Sequence, residues 1–268
     1  MSGTVEITSR KELALMPAQQ GPAGDARAGA DDRDRSQVSL WERLDRPSPA
    51  PRTTLTPHRI AEAAVAIADT EGLDAVTMRR LATALGVAPM AAYRYVSGKD
   101  ELIELMVDFV YGGLPLDTPA DGWRETMHAL AVHLRAMSLA HPWITRAATP
   151  FSLSPNQLAV PERAFAALAG HGLDPDTTMA IFRTVAIYVH GSSATEVALQ
   201  DLRRARGWSD GDETRAALAP RMSYLMGTGR YPAYLQYLQQ ATRKDDPDWH
   251  FATGLDCVLD GIATHFGI

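Results

Sequence analysis

The chain has 268 residues, a formal net charge of -6, 46% hydrophobic residues and a single cysteine, Cys257. No stretch approaches the roughly 18 to 20 successive apolar residues of a membrane-spanning helix, one cysteine excludes an intrachain disulfide, and the N-terminus lacks a basic segment followed by an apolar core. A cytoplasmic protein of two domains, with no membrane partner, is therefore expected, and its acid excess weighs against a nucleic-acid partner unless basic residues gather on one edge.

In residues 1–37 glycine, alanine and mixed charge predominate. Arg10, Lys11, Arg27, Arg33 and Arg35 nearly cancel Glu6, Glu12, Asp25, Asp31, Asp32 and Asp34, which predicts a disordered tail. Residues 38–55 read as an extended arm, pinned by Trp41 and Leu44 and stiffened by Pro47, Pro49 and Pro51. Arg46 and Arg52 on that arm are candidates for the DNA minor groove, although a solvated linker fits the same residues.

Thr56-Pro57 is an N-cap with proline at the first helical position, and Ile60, Ala64, Ile67 and Ala68 make one apolar stripe that ends near Gly72. Val76, Leu81, Leu85 and Val87 predict a second helix and its turn, with Ala82 small enough for a close crossing. Gly86 suits the left-handed end of that helix, and Pro89 the first turn of the next, over 89–96. Ser97 with Asp100 signals a further helix start, followed by Leu102, Ile103, Met106 and Val110. Two short helices joined at Leu85-Gly86-Val87 have the layout of a helix-turn-helix, which presents its second helix to the major groove; a plain helical hairpin would show the same turn.

Beyond Leu116 the spacing predicts a second helical domain, residues 118–268. Met127, Leu130, Leu134 and Met137 fall on one face over 122–140, and a further helix covers 156–168. Asp174-Pro175 opens the longest helix, which is apolar nearly all round over 179–199, so both of its faces must be covered. Arg203, Arg204 and Arg206 suit the C-terminal end of that helix, where cations meet a favourable dipole. Residues 246–266 close the chain with Trp249, Leu255, Val258, Leu259, Ile262 and Phe266, and Cys257 reads there as a small buried residue. No metal or cofactor is expected: His128 and His133 are five apart and do not share a helix face, and Gly191-Ser192-Ser193 is not a nucleophile elbow.

The run E-G-L-x-x-V-T-x-R-x-L-A-x-x-L-G-V, then Y-x-Y-V and K-D-E-L, all in register from Glu71 to Leu102, resembles the DNA-binding domain of the tetracycline-repressor (TetR) family. Weaker similarity continues in H-P-W at His141–Trp143 and R-Y-P at Arg230–Pro232, and S-L-W-E-R-L-D-R-P resembles the arm that precedes the domain in one branch of that family. The resemblance implies an all-α fold. A helix-turn-helix domain over 56–117 would bind double-stranded operator DNA, and a helical bundle over 118–268 would bind an effector and dimerise.

Chemistry assigns roles within the module. Tyr93, Tyr95 and Lys99 offer donors at the groove wall, and Thr77 stands at a helix start whose N–H groups favour phosphate. The resemblance implies backbone contacts for Tyr93 and Lys99, with Tyr95 in place of the family's commoner histidine, and gives Arg79 a position that reaches a base. Arg94 is the second candidate base reader, while Met90 and Ala91 leave only apolar contact with thymine methyl groups. In the bundle, His133, Asn156, Arg183, Tyr188, His190 and Glu196 are polar groups among apolar ones and candidates to orient a small hydrophobic or amphipathic effector, although ordinary packing explains each alone. The family pattern implies that 179–199 and 246–266 pair with those of a second copy in a homodimer. A repressor released by an effector is the expected function; a ligand-independent architectural DNA-binding protein and a helical enzyme are the alternatives.

Overall fold

The computed structural model describes residues 38–46, 55–117, 121–147 and 154–268, and every regular element among them is helical. Two compact units divide the chain, residues 1–43 and 44–268. The described part of the first is the start of helix α1 (Leu40–Asp45), which runs across the boundary. Ser39 opens α1, its Oγ accepting from the Glu42 N–H at 3.2 Å, while Arg43 donates to the Val38 carbonyl at 2.9 Å. A helix therefore stands where an extended arm is predicted, because a capping serine precedes a proline-free segment. Pro47, Pro49, Pro51 and Arg52 lie outside the described residues, as do residues 1–37.

In the second unit, α2 (Pro57–Glu71) begins as its sequence requires, with Thr56 Oγ1 accepting from the Arg59 N–H at 3.2 Å. It buries Ile60, Ala61, Ala64, Val65, Ile67 and Ala68. Helix α3 (Met78–Leu85) is capped by Thr77 and stopped by Gly86, whose φ of 65° is left-handed, and its amide points back to Ala82 and Thr83. Helix α4 (Pro89–Ala92) is shorter than the 89–96 predicted; hydrogen-bonded turns from Tyr95 and Val96 to the Ala92 carbonyl complete it. Helix α5 (Lys99–Gly112) starts without a side-chain cap. The carboxylate that reaches back to the Ser97 N–H, at 2.7 Å, comes from Glu101 rather than Asp100.

Seven further helices follow: α6 (Trp123–Ala140), α7 (Ile144–Ala147), α8 (Pro155–Leu168), α9 (Pro175–Arg206), α10 (Gly211–Gly227), α11 (Pro232–Gln240) and α12 (Pro247–Phe266). Their core is built from Met127, Leu130 and Ala131 of α6, Val160, Ala164 and Leu168 of α8, Ile181, Val185 and Val189 of α9, and Phe251, Leu255, Leu259 and Ile262 of α12. Arg135 of α6 crosses this bundle. It pairs with Glu196 of α9 at 2.9 Å and Asp248 of α12 at 2.7 Å, and its guanidinium lies 4.8 Å from the centre of the Phe251 ring. Burial opposes the charge on Arg135, but the hydrogen bonds to Asp248 and Glu196 outweigh it and hold the group more firmly protonated than usual.

Among the described residues, only one face of α9 is covered. Ile181, Val185, Val189 and Val197 are buried, whereas Met179, Ile187, Leu199 and Leu202 are exposed, Ile187 by 65%. Helices α10 and α11 are barer still: Thr214 is the single buried residue of α10, α11 has none, and Leu218, Tyr224, Tyr231, Tyr234 and Tyr237 are all exposed. Cys257, read from the sequence as buried, is exposed on α12.

Candidate nucleic-acid interface

The recognition segment is fixed from below and open from above. Ala92 and Val96 have no exposed surface, so the inner face of α4 is seated against the domain, while Met90 is 72% exposed and Tyr93 44%. Arg94 and Lys99 are exposed beside them, and Ala91 is half-buried. The segment therefore presents a short apolar ridge flanked by a phenol and two cations.

Thr77 uses its Oγ1 to accept from the Arg80 N–H at 3.1 Å, which caps α3 and leaves the hydroxyl proton for an outside acceptor. Arg79 is exposed on the first turn of α3, whereas its neighbour Arg80 is turned aside onto Glu71, Nη2 to Oε1 at 2.5 Å. That bond holds the Glu71 carboxyl below its ordinary range and raises the guanidinium of Arg80. Side by side in sequence, the two arginines thus differ: Arg79 is exposed, whereas Arg80 is paired with Glu71.

Tyr95, predicted to stand at the groove wall, is engaged within the protein. Its hydroxyl donates to the Leu55 carbonyl at 2.7 Å, half-buried, and ties the end of the recognition segment to the chain entering α2. With its one proton committed, the phenol has none for a phosphate. Arg46 is exposed at the end of α1.

Two polar clasps join the reading head to the helices behind it. Asp69, on the last turn of α2, accepts from Trp143 Nε1 at 2.7 Å and from His141 Nδ1 at 2.9 Å. Asp108, buried near the end of α5, accepts from the Asn156 backbone N–H and from Asn156 Nδ2, each at 2.8 Å, and so caps the start of α8 from another helix. A Cβ on Gly112 would lie 2.9 Å from Asn156 Nδ2, so the approach of the two helices needs glycine there. Asn156 thus fastens α8 to α5. The H-P-W triplet marks one side of the first clasp; nothing local in the sequence singles out Asp69 or Asp108.

The remaining effector candidates also separate. His133 lines a small, open surface cleft with Pro115, Leu116, Thr126, Ala129, Leu130 and Arg163. Tyr188 instead donates to the Phe251 carbonyl at 2.7 Å, and desolvation raises its phenol above the ordinary range. Glu196 is engaged by Arg135. Arg183 and His190 are exposed on the uncovered face of α9 and do not meet the cleft. Among the described residues no cluster of His, Cys, Asp and Glu could hold a metal ion, and no helix is long and apolar enough to cross a membrane.

A buried-base, open-topped recognition helix on a helical body defines a helix-turn-helix DNA-binding regulator. Residues 60–106 match the model of bacterial regulatory proteins of the tetR family, and residues 114–266 match that of the tetracyclin repressor-like C-terminal domain. The chain belongs to the TetR family of transcriptional regulators, a family of regulators rather than enzymes. It is 37% identical over 242 residues to the HTH-type transcriptional repressor DrrR1 of Streptomyces coeruleorubidus, covering 88% of this chain and 87% of that one. An HTH-type transcriptional regulator of Saccharopolyspora erythraea is 32% identical, with 86% and 93% covered. Among solved structures, ActR of Streptomyces coelicolor in complex with actinorhodin superposes with a TM-score of 0.65 at 27% identity, over 80% of this chain and 97% of that chain.

Proposed function

We propose that this regulator is a cytoplasmic repressor that binds a palindromic operator as a homodimer and leaves it when a small hydrophobic or amphipathic effector enters the bundle. The observation that carries the DNA-binding part is the recognition segment itself, seated on fully buried Ala92 and Val96 with Met90, Tyr93 and Arg94 facing out. Arg79 and Arg94 read bases, Met90 and Ala91 pack on thymine methyl groups, and Thr77, Tyr93 and Lys99 hold the backbone. Reading heads on a two-fold axis meet half-sites about 34–36 Å apart or slightly more.

Dimerisation is supported by the uncovered face of α9 and by the bare α10 and α11. A 17-residue helix with one buried residue is marginal in water, and a second copy is the partner that would cover it. Repression is supported by the relative named as a repressor, and response to an effector by the ligand-bound ActR structure. The small cleft beside His133, where Thr126, His133 and Arg163 stand among apolar walls, is the candidate entry point for the effector.

A gel shift on the DNA flanking the protein's own gene, repeated with candidate metabolites or antibiotics, tests the proposal. A discrete complex at nanomolar protein, lost on adding one of them, is expected; a strictly monomeric protein that binds its DNA would remove the palindrome from the proposal.

A further inference from the structure

We infer that Asp69 and Asp108 are positioning residues for DNA binding: their clasps on His141, Trp143 and Asn156 set the angle of each reading head, and with it the half-site spacing that the dimer accepts. The inference rests on the dimeric, palindrome-binding reading above.

The reasoning begins with how a head is held. Helices α2 and α5 pack on each other inside the head, and only α5 carries the chain onward. A single helix fixes the attachment point but leaves rotation about its own axis open, and apolar side chains resist that rotation weakly because their contacts are non-directional. Hydrogen bonds to carboxylates are directional and stronger than neutral ones. Here one such carboxylate stands on each of the two helices, at the last turn of α2 and near the last turn of α5.

The clasps close on two places in the body, the His141–Trp143 turn after α6 and Asn156 at the start of α8. Asp69 takes two donors from the H-P-W turn, an indole and an imidazole, so it is held in two directions. Asp108 takes a backbone N–H and a side-chain amide from one residue, and its own carbonyl accepts a third bond from Asn156 Nδ2 at 3.2 Å. Two separated anchors define an orientation, which one anchor cannot. None of these five side chains belongs to the outer surface of α4, so their contribution to operator binding lies in geometry.

If only a fraction of dimers has its heads at the operator spacing, apparent affinity for the full site falls by that fraction, while affinity for one half-site does not. The experiment uses the full chain and the DNA it selects from a randomised duplex library, at one fixed salt concentration. Asp69→Ala and Asn156→Ala are compared with wild type on the full palindrome, on an isolated half-site, and on palindromes with one or two base pairs added at the centre. The expected result is half-site affinity within about twofold of wild type, a loss of about tenfold or more on the full site, and a flattened dependence on spacer length. Asp69→Asn keeps an acceptor for Trp143 and is expected to restore most of the full-site affinity, whereas Trp143→Phe is expected to behave like Asp69→Ala. Parallel loss on half-site and full site, or unchanged spacer discrimination, would overturn the inference, and since the clasps lie on different helices one misfolded variant does not remove the test. Failure of the wild type to select any sequence would instead remove the reading on which it rests.

Discussion

Replacing Arg79 by alanine separates base reading from electrostatics because Arg80 is a built-in control. Arg79 is exposed at the first turn of α3, while Arg80, one residue on, has its guanidinium engaged by Glu71 at 2.5 Å. An arginine bidentate to guanine is worth about 1–3 kcal/mol of discrimination, or roughly 5- to 150-fold in affinity per half-site. Arg79→Ala is therefore expected to weaken binding by that factor in each half-site and to relax preference at one base position in each. Arg80→Ala is expected to leave the base preference as it was. The assay is fluorescence anisotropy on the operator and on its single-base variants at constant salt. A loss from Arg79→Ala that is uniform over all sequences would make it a phosphate contact, and a change of base preference from Arg80→Ala would refute the division of labour read from the Glu71 bond.

Further consequences follow from individual contacts. Ala92→Leu adds volume beneath α4 where no surface is exposed, and is expected to cost about 1–3 kcal/mol in thermal unfolding and to weaken operator binding with it. Arg135→Ala leaves Glu196 in the bundle without its cation, and chemical denaturation is expected to show a loss of about 1–3 kcal/mol, less than for a fully enclosed pair because Asp248 faces solvent. Burial raises the Tyr111 phenol above its ordinary 10.0, against a smaller opposing effect of its bond to Gln157. Its neutral form is thus favoured in the folded state; that stability is complete below pH 10 and falls as the pH rises through the raised value, so Tyr111→Phe is expected to flatten the alkaline decline of the melting temperature. With Lys99 of each head on a phosphate, Lys99→Ala removes two charged phosphate contacts from the dimer, and a plot of log affinity against log salt is expected to be shallower by about 1.8 than for wild type.

The parts of this molecule that are legible in its sequence are those whose causes are local. The Thr56 and Thr77 caps, the left-handed Gly86 and the proline starts at Pro57, Pro89 and Pro175 each act within a few residues, and the helices they delimit appear where the pattern puts them. Helices α10 and α11 escaped the pattern because the apolar residues of α10 form no single stripe and Pro220 lies within it. The partners of polar groups are hidden in the sequence for the converse reason. Asn156, Tyr188, Glu196 and Tyr95 are satisfied by Asp108, Phe251, Arg135 and Leu55, which stand 48, 63, 61 and 40 residues away. A polar residue in an apolar run looks the same in sequence whether it awaits a ligand or already has a partner; only the fold distinguishes them.

How a chain with a net charge of -6 can read DNA follows from the same accounting of side chains. The recognition segment offers Met90 and Ala91 where hydrogen-bonding groups would serve, so on the proposed roles direct discrimination in a half-site falls to Arg79 and Arg94. Two bidentate contacts supply about 2–6 kcal/mol, a factor of roughly 30 to 10⁴. Against the roughly 10⁶ or more competing sites of a bacterial genome, that is too little for one head alone. Two heads square the factor, but only if both half-sites are engaged at once and without distorting the protein. A sparse recognition surface therefore shifts the burden of specificity from the groove to the frame that spaces the heads. In this chain the frame is fastened by buried and half-buried hydrogen bonds rather than by apolar packing alone.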